Sequence, residues 1–342
     1  MTTATTTGDL LWQAGIDDVP VAVAAAPGLV AVAGAEGTCT IHDAATGQRI
    51  ASFTVDGGLL HAAFAPGGAH LAVTGTAGYA LWHADGTRLR HYGTGTWTSC
   101  ARWAGHDRVA VAAGRRVVVH GSDGTELWRT GEAPSTITDL TWLRDGREVA
   151  ASAYNGVYRY ARHRADPIGH FRYPGSHLAI TTTPDYRWIC TGNQDRSVHI
   201  WRTRDGDELE MAGYPGKVTR LAFDPAGRWL ANNGASDITL WDFAGQGPGG
   251  SSPRLLRGHD TVTDLAWQPG SGSILASAGS DATIALWRPA GGIRSRTQRP
   301  AQRIQLQAPA VAIQWLGTTR IVTATSTGTI AVLASQIPTA GP

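Results

Sequence analysis

The sequence predicts an all-β chain folded as a single β-propeller of eight four-stranded antiparallel blades, seven being the alternative, with the N-terminal strand completing the last blade. Three observations lead there. A pattern of short apolar runs recurs about every forty residues along the chain. The 43 glycines among 342 residues supply many tight turns, which suits short strands. No segment of helical period is long enough to carry a phosphate-binding loop and its helix. At this length one continuous core normally stops growing, but a repeat buries surface between successive units instead.

Residues 259–288, HDTVTDLAWQPGSGSILASAGSDATIALWR, show the unit most clearly: the runs TVTDLAW, ILASAG and ATIALW are separated by turn residues, as in a meander. The residue closing the first run of each unit is Ala25, Phe64, Trp103, Trp142, Thr182, Phe223, Trp267 and Trp315, with spacings of 39, 39, 39, 40, 41, 44 and 48. The third run ends near His42, Trp82, His120, Tyr160, Trp201, Trp241, Trp287 and Leu333. A fourth run follows in most units, as in GTRLRHY, GTELWRT and GDELEMA. The eighth unit lacks one, and Leu11–Gly15 (LWQAG) resembles the fourth run Leu127–Gly131 (LWRTG). A clasp is therefore expected, with the N-terminus lending the missing strand so that no long edge stays open. The units fall at 17–54, 56–92, 95–130, 134–173, 176–212, 216–257, 259–306 and 310–334, the last completed by 8–14, in one domain spanning 1–342.

A period near forty, Gly258-His259 before a first strand and Trp-Asp-like endings to third strands together resemble the WD-repeat propellers over residues 8–334. The likeness is strongest in units five to seven, with Trp201, Trp241-Asp242, Gly258-His259 and Trp287. It is weaker in units three, four and eight, and in unit one, where His42-Asp43 takes the Trp-Asp place. It implies a non-catalytic scaffold for protein–protein interaction. It also implies that His259, Ser277, Asp281 and Trp287 form a buried hydrogen-bonded chain in which each polar group satisfies the next. By residue type alone, Ser, His and Asp suggest nucleophilic catalysis, but no Gly-x-Ser-x-Gly elbow surrounds Ser277. Eight residues before the marker, where unit seven has His259, the other units carry Asp17, Asp56, Gly95, Pro134, Pro174, Pro215 and Gln307. Only one unit is therefore expected to hold the full set.

Three residues before each marker stands a column of Ala22, His61, Cys100, Asp139, Ala179, Arg220, Asp264 and Ala312. In a propeller this column lies on the channel-lining strands, so His61, Cys100, Asp139, Arg220 and Asp264 are the candidate partner-binding rim, held in a ring at little entropic cost. The alternative is a small-ligand- or metal-binding channel mouth, whose enzymatic form would use Asp139 and Asp264 as acid and base. His61, Cys100 and Asp139 have zinc-ligand chemistry, but no Cys-x-x-Cys or His-x-x-x-His pair supports a metal. No cofactor motif is present.

The net charge of +2 provides no strong field for nucleic acid or a membrane surface. The basic loop Arg288, Arg294, Arg296, Arg299 and Arg303 is expected to be solvated, a phosphate contact being the less favoured reading, and Arg159, Arg162, Arg164 and Arg172 of unit four sit among tyrosines spaced for strand packing. Lys217 is the only lysine, an arginine bias that suggests a GC-rich, bacterial genome. The first residues lack the basic and apolar regions of a secretory signal, and no apolar run reaches a bilayer-spanning length. Cys39, Cys100 and Cys190 are odd in number and far apart, which argues against a disulfide framework. The expectation is a cytoplasmic monomer whose partners are other proteins.

Overall fold

Second and third runs such as LVAVAG, RVAVAA and RVVVHG are rich in valine and alanine, and the structure shows why. In the computed structural model, which describes residues 10–270, 272–289 and 296–337, these runs are middle strands covered on both faces by neighbouring sheets. Leu29–Gly34 and Arg108–Ala113 are buried along nearly their whole length. Small and β-branched side chains fit that narrow space. Outermost strands such as Arg49–Thr54 alternate between exposed and half-buried residues.

Chain order gives β1 Leu10–Gly15, then the first unit as β2 Pro20–Ala26, β3 Leu29–Gly34, β4 Thr38–Asp43 and β5 Arg49–Thr54. The second unit is β6 Leu59–Phe64, β7 His70–Gly75, β8 Gly78–His83 and β9 Arg88–Gly93. The third is β10 Thr98–Ala104, β11 Arg108–Ala113, β12 Arg116–Gly121 and β13 Glu126–Arg129. Next come β14 Asp139–Leu143, β15 Glu148–Ala161, β16 Gly169–Thr182, β17 Trp188–Asn193, β18 Val198–Arg202 and β19 Glu208–Met211. The sixth unit supplies β20 Leu221–Phe223, β21 Trp229–Asn232, β22 Asp237–Asp242 and β23 Arg254–Arg257. The seventh supplies β24 Val262–Trp267, β25 Leu275–Gly279, β26 Thr283–Trp287, β27 Thr297–Gln298 and β28 Gln302–Gln305. The chain ends with β29 Ala310–Leu316, β30 Arg320–Thr325 and β31 Thr329–Ala334.

These strands are hydrogen-bonded into seven sheets, which corrects the expectation of eight separate four-stranded blades. Counted by its sheets, the propeller is seven-bladed. The difference lies at the fourth and fifth repeats, which share the six-stranded sheet β14-β15-β16-β17-β18-β19. The sequence shows turn residues at Asn155-Gly156 and Pro174-Gly175, but neither breaks the chain's extended course. β15 and β16 each run through 14 residues, pairing Tyr154 with Ser176 and Gly156 with Arg172 across a register shift. A bulge bends a strand without ending it, so two repeats become one sheet.

A second departure concerns the segment 288–303, expected as a loop. Thr297–Gln298 (β27) pairs in parallel with β23 and makes the sixth unit's sheet five-stranded, while β28 completes the seventh unit's sheet. Arg294 lies outside the described residues.

β1 pairs antiparallel with β31, matching Trp12 to Val332 and Ala14 to Ile330, so the chain's first and last strands share a sheet. Trp12 donates its indole N–H to the Ala44 carbonyl at 3.1 Å, and Arg320 donates to the same oxygen at 3.1 Å. The Trp12 ring lies flat over Gly47, where an added Cβ would stand 2.6 Å from it and where φ is +74°. The core is divided among the gaps between neighbouring sheets. One cluster joins Val30 and Val32 to Val322 and Val332 across the closure; another joins Ile41 and Leu59 to Leu71. Among the described residues, no helix is long and apolar enough to cross a membrane.

A recurring latch ties successive units. Trp103, Trp142, Trp267 and Trp315, which close first strands, donate their indole N–H to the carbonyls of Ala63, Arg102, Ala222 and Ala266 at 2.9, 2.7, 2.9 and 2.9 Å. Each acceptor lies just before the marker residue of the preceding unit.

Candidate channel-mouth site

The inner strands carry the candidate site, and a local irregularity aims it. Register shifts fall between Pro20 and Ala22, Leu59 and His61, Thr98 and Ala101, His177 and Ala179, Val262 and Asp264, and Ala310 and Ala312. Such a bulge re-aims the residue that follows it. All eight residues of the sequence column, Ala22 to Ala312, line one cavity of about 380 Å³ at the ring's centre, Asp139 without such a shift on its strand. His61, Cys100, Asp139, Arg220 and Asp264 are among them.

Arg102, which sequence reasoning passed over, organises the polar side of this cavity. Its Nη2 donates to Asp139 Oδ1 at 2.6 Å and its Nη1 to His61 Nε2 at 2.6 Å. Because Nε2 accepts, the His61 proton sits on Nδ1, which is buried without a partner. Burial, and then the guanidiniums of Arg102 and Arg220, hold the His61 pKa well below the ordinary imidazole value. Burial opposes charge on Arg102 as well, but the Asp139 carboxylate more than offsets it, so that Arg102 titrates above its usual value. The one available signal was position: Arg102 directly precedes Trp103 on the same inner strand.

Asp139 and Asp264 play matching parts. Asp139 Oδ2 accepts from the Ile180 backbone N–H at 3.2 Å, and Asp264 Oδ2 from that of Ile313 at 3.0 Å. Each carboxylate also takes an arginine from the preceding unit, since Arg220 Nε reaches Asp264 Oδ1 at 3.0 Å. Both carboxylates thus staple one repeat to the next, and neither oxygen pair is left open for acid–base work.

His61, Cys100 and Asp139, whose chemistry suits zinc, line the cavity beside Arg102. The Arg102 guanidinium stands between His61 and Asp139 and bonds to both, and burial pushes the Cys100 thiol up to about 12. Among the described residues no group of three such side chains could hold a metal.

The seventh unit's four residues form a continuous chain of bonds. Trp287 Nε1 donates to Ser277 Oγ at 2.8 Å, Ser277 pairs with His259 Nε2 at 2.7 Å, and His259 Nδ1 meets Asp281 Oδ1 at 3.1 Å. Thr283 donates to Asp281 at 2.8 Å, and Arg303 adds a contact to Asp281 Oδ2 at 3.2 Å. Arg303 therefore faces its own sheet. Burial lowers the His259 pKa in spite of the Asp281 partner. Ser277 is fully buried, away from any substrate.

Other units build related networks from positions that the column comparison missed. In the sixth, Trp241 donates to Tyr214 Oη at 3.0 Å, which donates to Asn232 Oδ1 at 3.3 Å. In the fifth, His177 pairs with Thr191 at 2.9 Å. Tyr214 and His177 sit near, but not at, the histidine slot, so allowing a shift in position would have found them.

Comparison with known proteins follows the same lines. The family described as WD domain, G-beta repeat (WD40) matches residues 168–202 and 250–288, each ending one residue beyond Trp201 or Trp287. The chain is 28% identical over 151 residues to "Protein HIR1" of Yarrowia lipolytica, covering 32% of this chain and 14% of that protein. It is 29% identical over 233 residues to "Ribosome biogenesis protein WDR12 homolog" of Chlamydomonas reinhardtii, covering 64% and 49% respectively. The chain thus spans less than half the length of either relative. Both relatives are eukaryotic, so the bacterial origin suggested by the arginine bias gains no support. The crystal structure of the computationally designed Ika8 protein superposes with a TM-score of 0.80 at 18% identity, over 96% of this chain and 100% of that one. Residues 168–202 and 250–288 are similar to WD40 repeats, and the chain that carries them folds as a seven-bladed β-propeller.

Proposed function

We propose that this chain is a non-catalytic scaffold, a monomer in a reducing compartment such as the cytoplasm, that presents a rigid propeller face to partner proteins. The observation that carries this reading is the commitment of the channel's polar groups. Asp139, Asp264, Arg102 and His61 bind one another or neighbouring backbone, which stiffens the ring and leaves no poised nucleophile or base. A stiff ring loses little entropy when a partner docks. The name of the Chlamydomonas reinhardtii WDR12 homolog refers to ribosome biogenesis, which accords with an assembly role. The unpaired, buried cysteines suit a reducing compartment.

The test is chemical crosslinking of the purified chain in extract of its own cells, followed by mass spectrometry. A defined protein crosslinked in stoichiometric amount is the expected result. A chain that crosslinks to no protein but retains a metal or small molecule through purification would favour the channel-ligand reading and end this one.

A further inference from the structure

Away from the channel, a groove of about 1190 Å³ opens between the second and third units. Its walls include Tyr79, Tyr92, Trp97, Arg115, Arg116 and Glu132. Trp97 is 61% exposed, more than any other large apolar side chain among the described residues. An indole presented at a groove's edge is the kind of aromatic anchor that dominates the energetics of protein interfaces. Its backbone is fixed, because the Trp97 carbonyl accepts the Gly114 N–H at 2.8 Å and Thr94 Oγ1 donates to the Thr96 carbonyl at 2.9 Å.

The charged wall is equally prepared. Arg115 Nε is pinned to the Ala133 carbonyl at 2.7 Å and Arg116 Nη1 to the Thr130 carbonyl at 3.2 Å. Both guanidiniums then share one carboxylate, Glu132, at 3.4 and 3.3 Å. Two cations facing one anion leave a single positive charge in excess. That is too little to track a nucleic-acid backbone, which needs several phosphates neutralised, but it suits one carboxylate side chain.

We propose that this groove docks an extended segment of a partner protein, with an apolar or aromatic side chain laid on Trp97 and an aspartate or glutamate bridging Arg115 and Arg116. This rests on the scaffold reading above and adds the surface and the partner's chemistry. Pre-fixed arginines and an aromatic anchor lose little freedom on binding, the property shared by residues that dominate interface energetics.

The experiment selects a displayed random peptide library on the immobilised full-length chain and measures the enriched peptides by fluorescence anisotropy. The expected peptides combine an acidic with an apolar residue. They lose about tenfold or more in affinity to Trp97→Ala, a loss of about 1.4 kcal/mol. They also weaken on Arg115→Gln and Arg116→Gln, and melting curves verify that each variant folds. Enriched peptides that bind Trp97→Ala unchanged would overturn the groove while leaving the scaffold standing, and so would enrichment of basic peptides. Groove-dependent binding of a single-stranded oligonucleotide in place of peptides would overturn it as well. If no peptide enriches and no protein crosslinks, both proposals fall.

Discussion

At the residue scale, polar side chains hold the ring by bonding across units. Trp315 gives its indole N–H to Ala266 across the gap between the last two units, and the bond is buried. Phenylalanine at position 315 keeps most of the packing but orphans that carbonyl. Trp315→Phe is expected to cost about 1–3 kcal/mol, read as a lower denaturant midpoint with unchanged slope. His259→Ala removes the middle of the Trp287–Ser277–His259–Asp281 chain and leaves buried partners unpaired. The expected cost is again about 1–3 kcal/mol, and a variant that melts with the wild type would show that the network carries no stability. Arg102→Met should destabilise more than Arg220→Met, because Arg102 serves both Asp139 and His61 whereas Arg220 is the more exposed. Paired thermal melts decide the order.

At the element scale, the clasp is the strand pair with the farthest-separated partners in the chain. β1 covers the edge of β31 and delivers Trp12 to Ala44 and Gly47 in the first unit. Deleting residues 1–15 exposes that edge and the cavity Trp12 fills. Truncating a core tryptophan costs about 3–5 kcal/mol, so a drop in melting temperature of about 5 °C or more is expected. Equal heat resistance in the shortened chain would contradict a load shared across the closure. Gly47→Ala probes the same contact without shortening the chain: its Cβ collides with the Trp12 ring at a positive φ, and destabilisation of about 1 kcal/mol or more is expected. The same scale explains where reading by repeats went astray. Pro174-Gly175 falls between the units at 134–173 and 176–212, and Asn155-Gly156 is a turn signal inside the first of them, but β15 and β16 pass through both and fuse two repeats.

For the molecule as a whole, acid should loosen the ring. His42, His61, His70, His120, His177 and His259 all titrate below the usual imidazole value, burial being the leading cause in each. The native state therefore holds them neutral, while the unfolded chain binds protons once the pH passes below about 6.5. Stability is full above that value and is lost as the pH falls through it. The melting temperature should decline steadily from about pH 7 to about pH 5, before most carboxylates titrate. A flat profile over that range would mean that these rings are solvated in the native protein.

The sequence by itself determined the strand content, the repeat, the lending of the first strand to the last sheet, and the column of residues that meets at the channel. Each follows from a local period or from side-chain alternation, which a chain carries wherever it folds. Tertiary structure decided the rest. Whether a marked turn ends a strand or merely bends it depends on what packs against it, so the seven-sheet count became visible only in the folded ring. Arg102, Tyr214 and His177 likewise owe their roles to partners in other strands. The groove beside Trp97 exists because the turns at 94–97 and 113–116 and the segment 129–136 converge in space, a proximity that no spacing along the chain records.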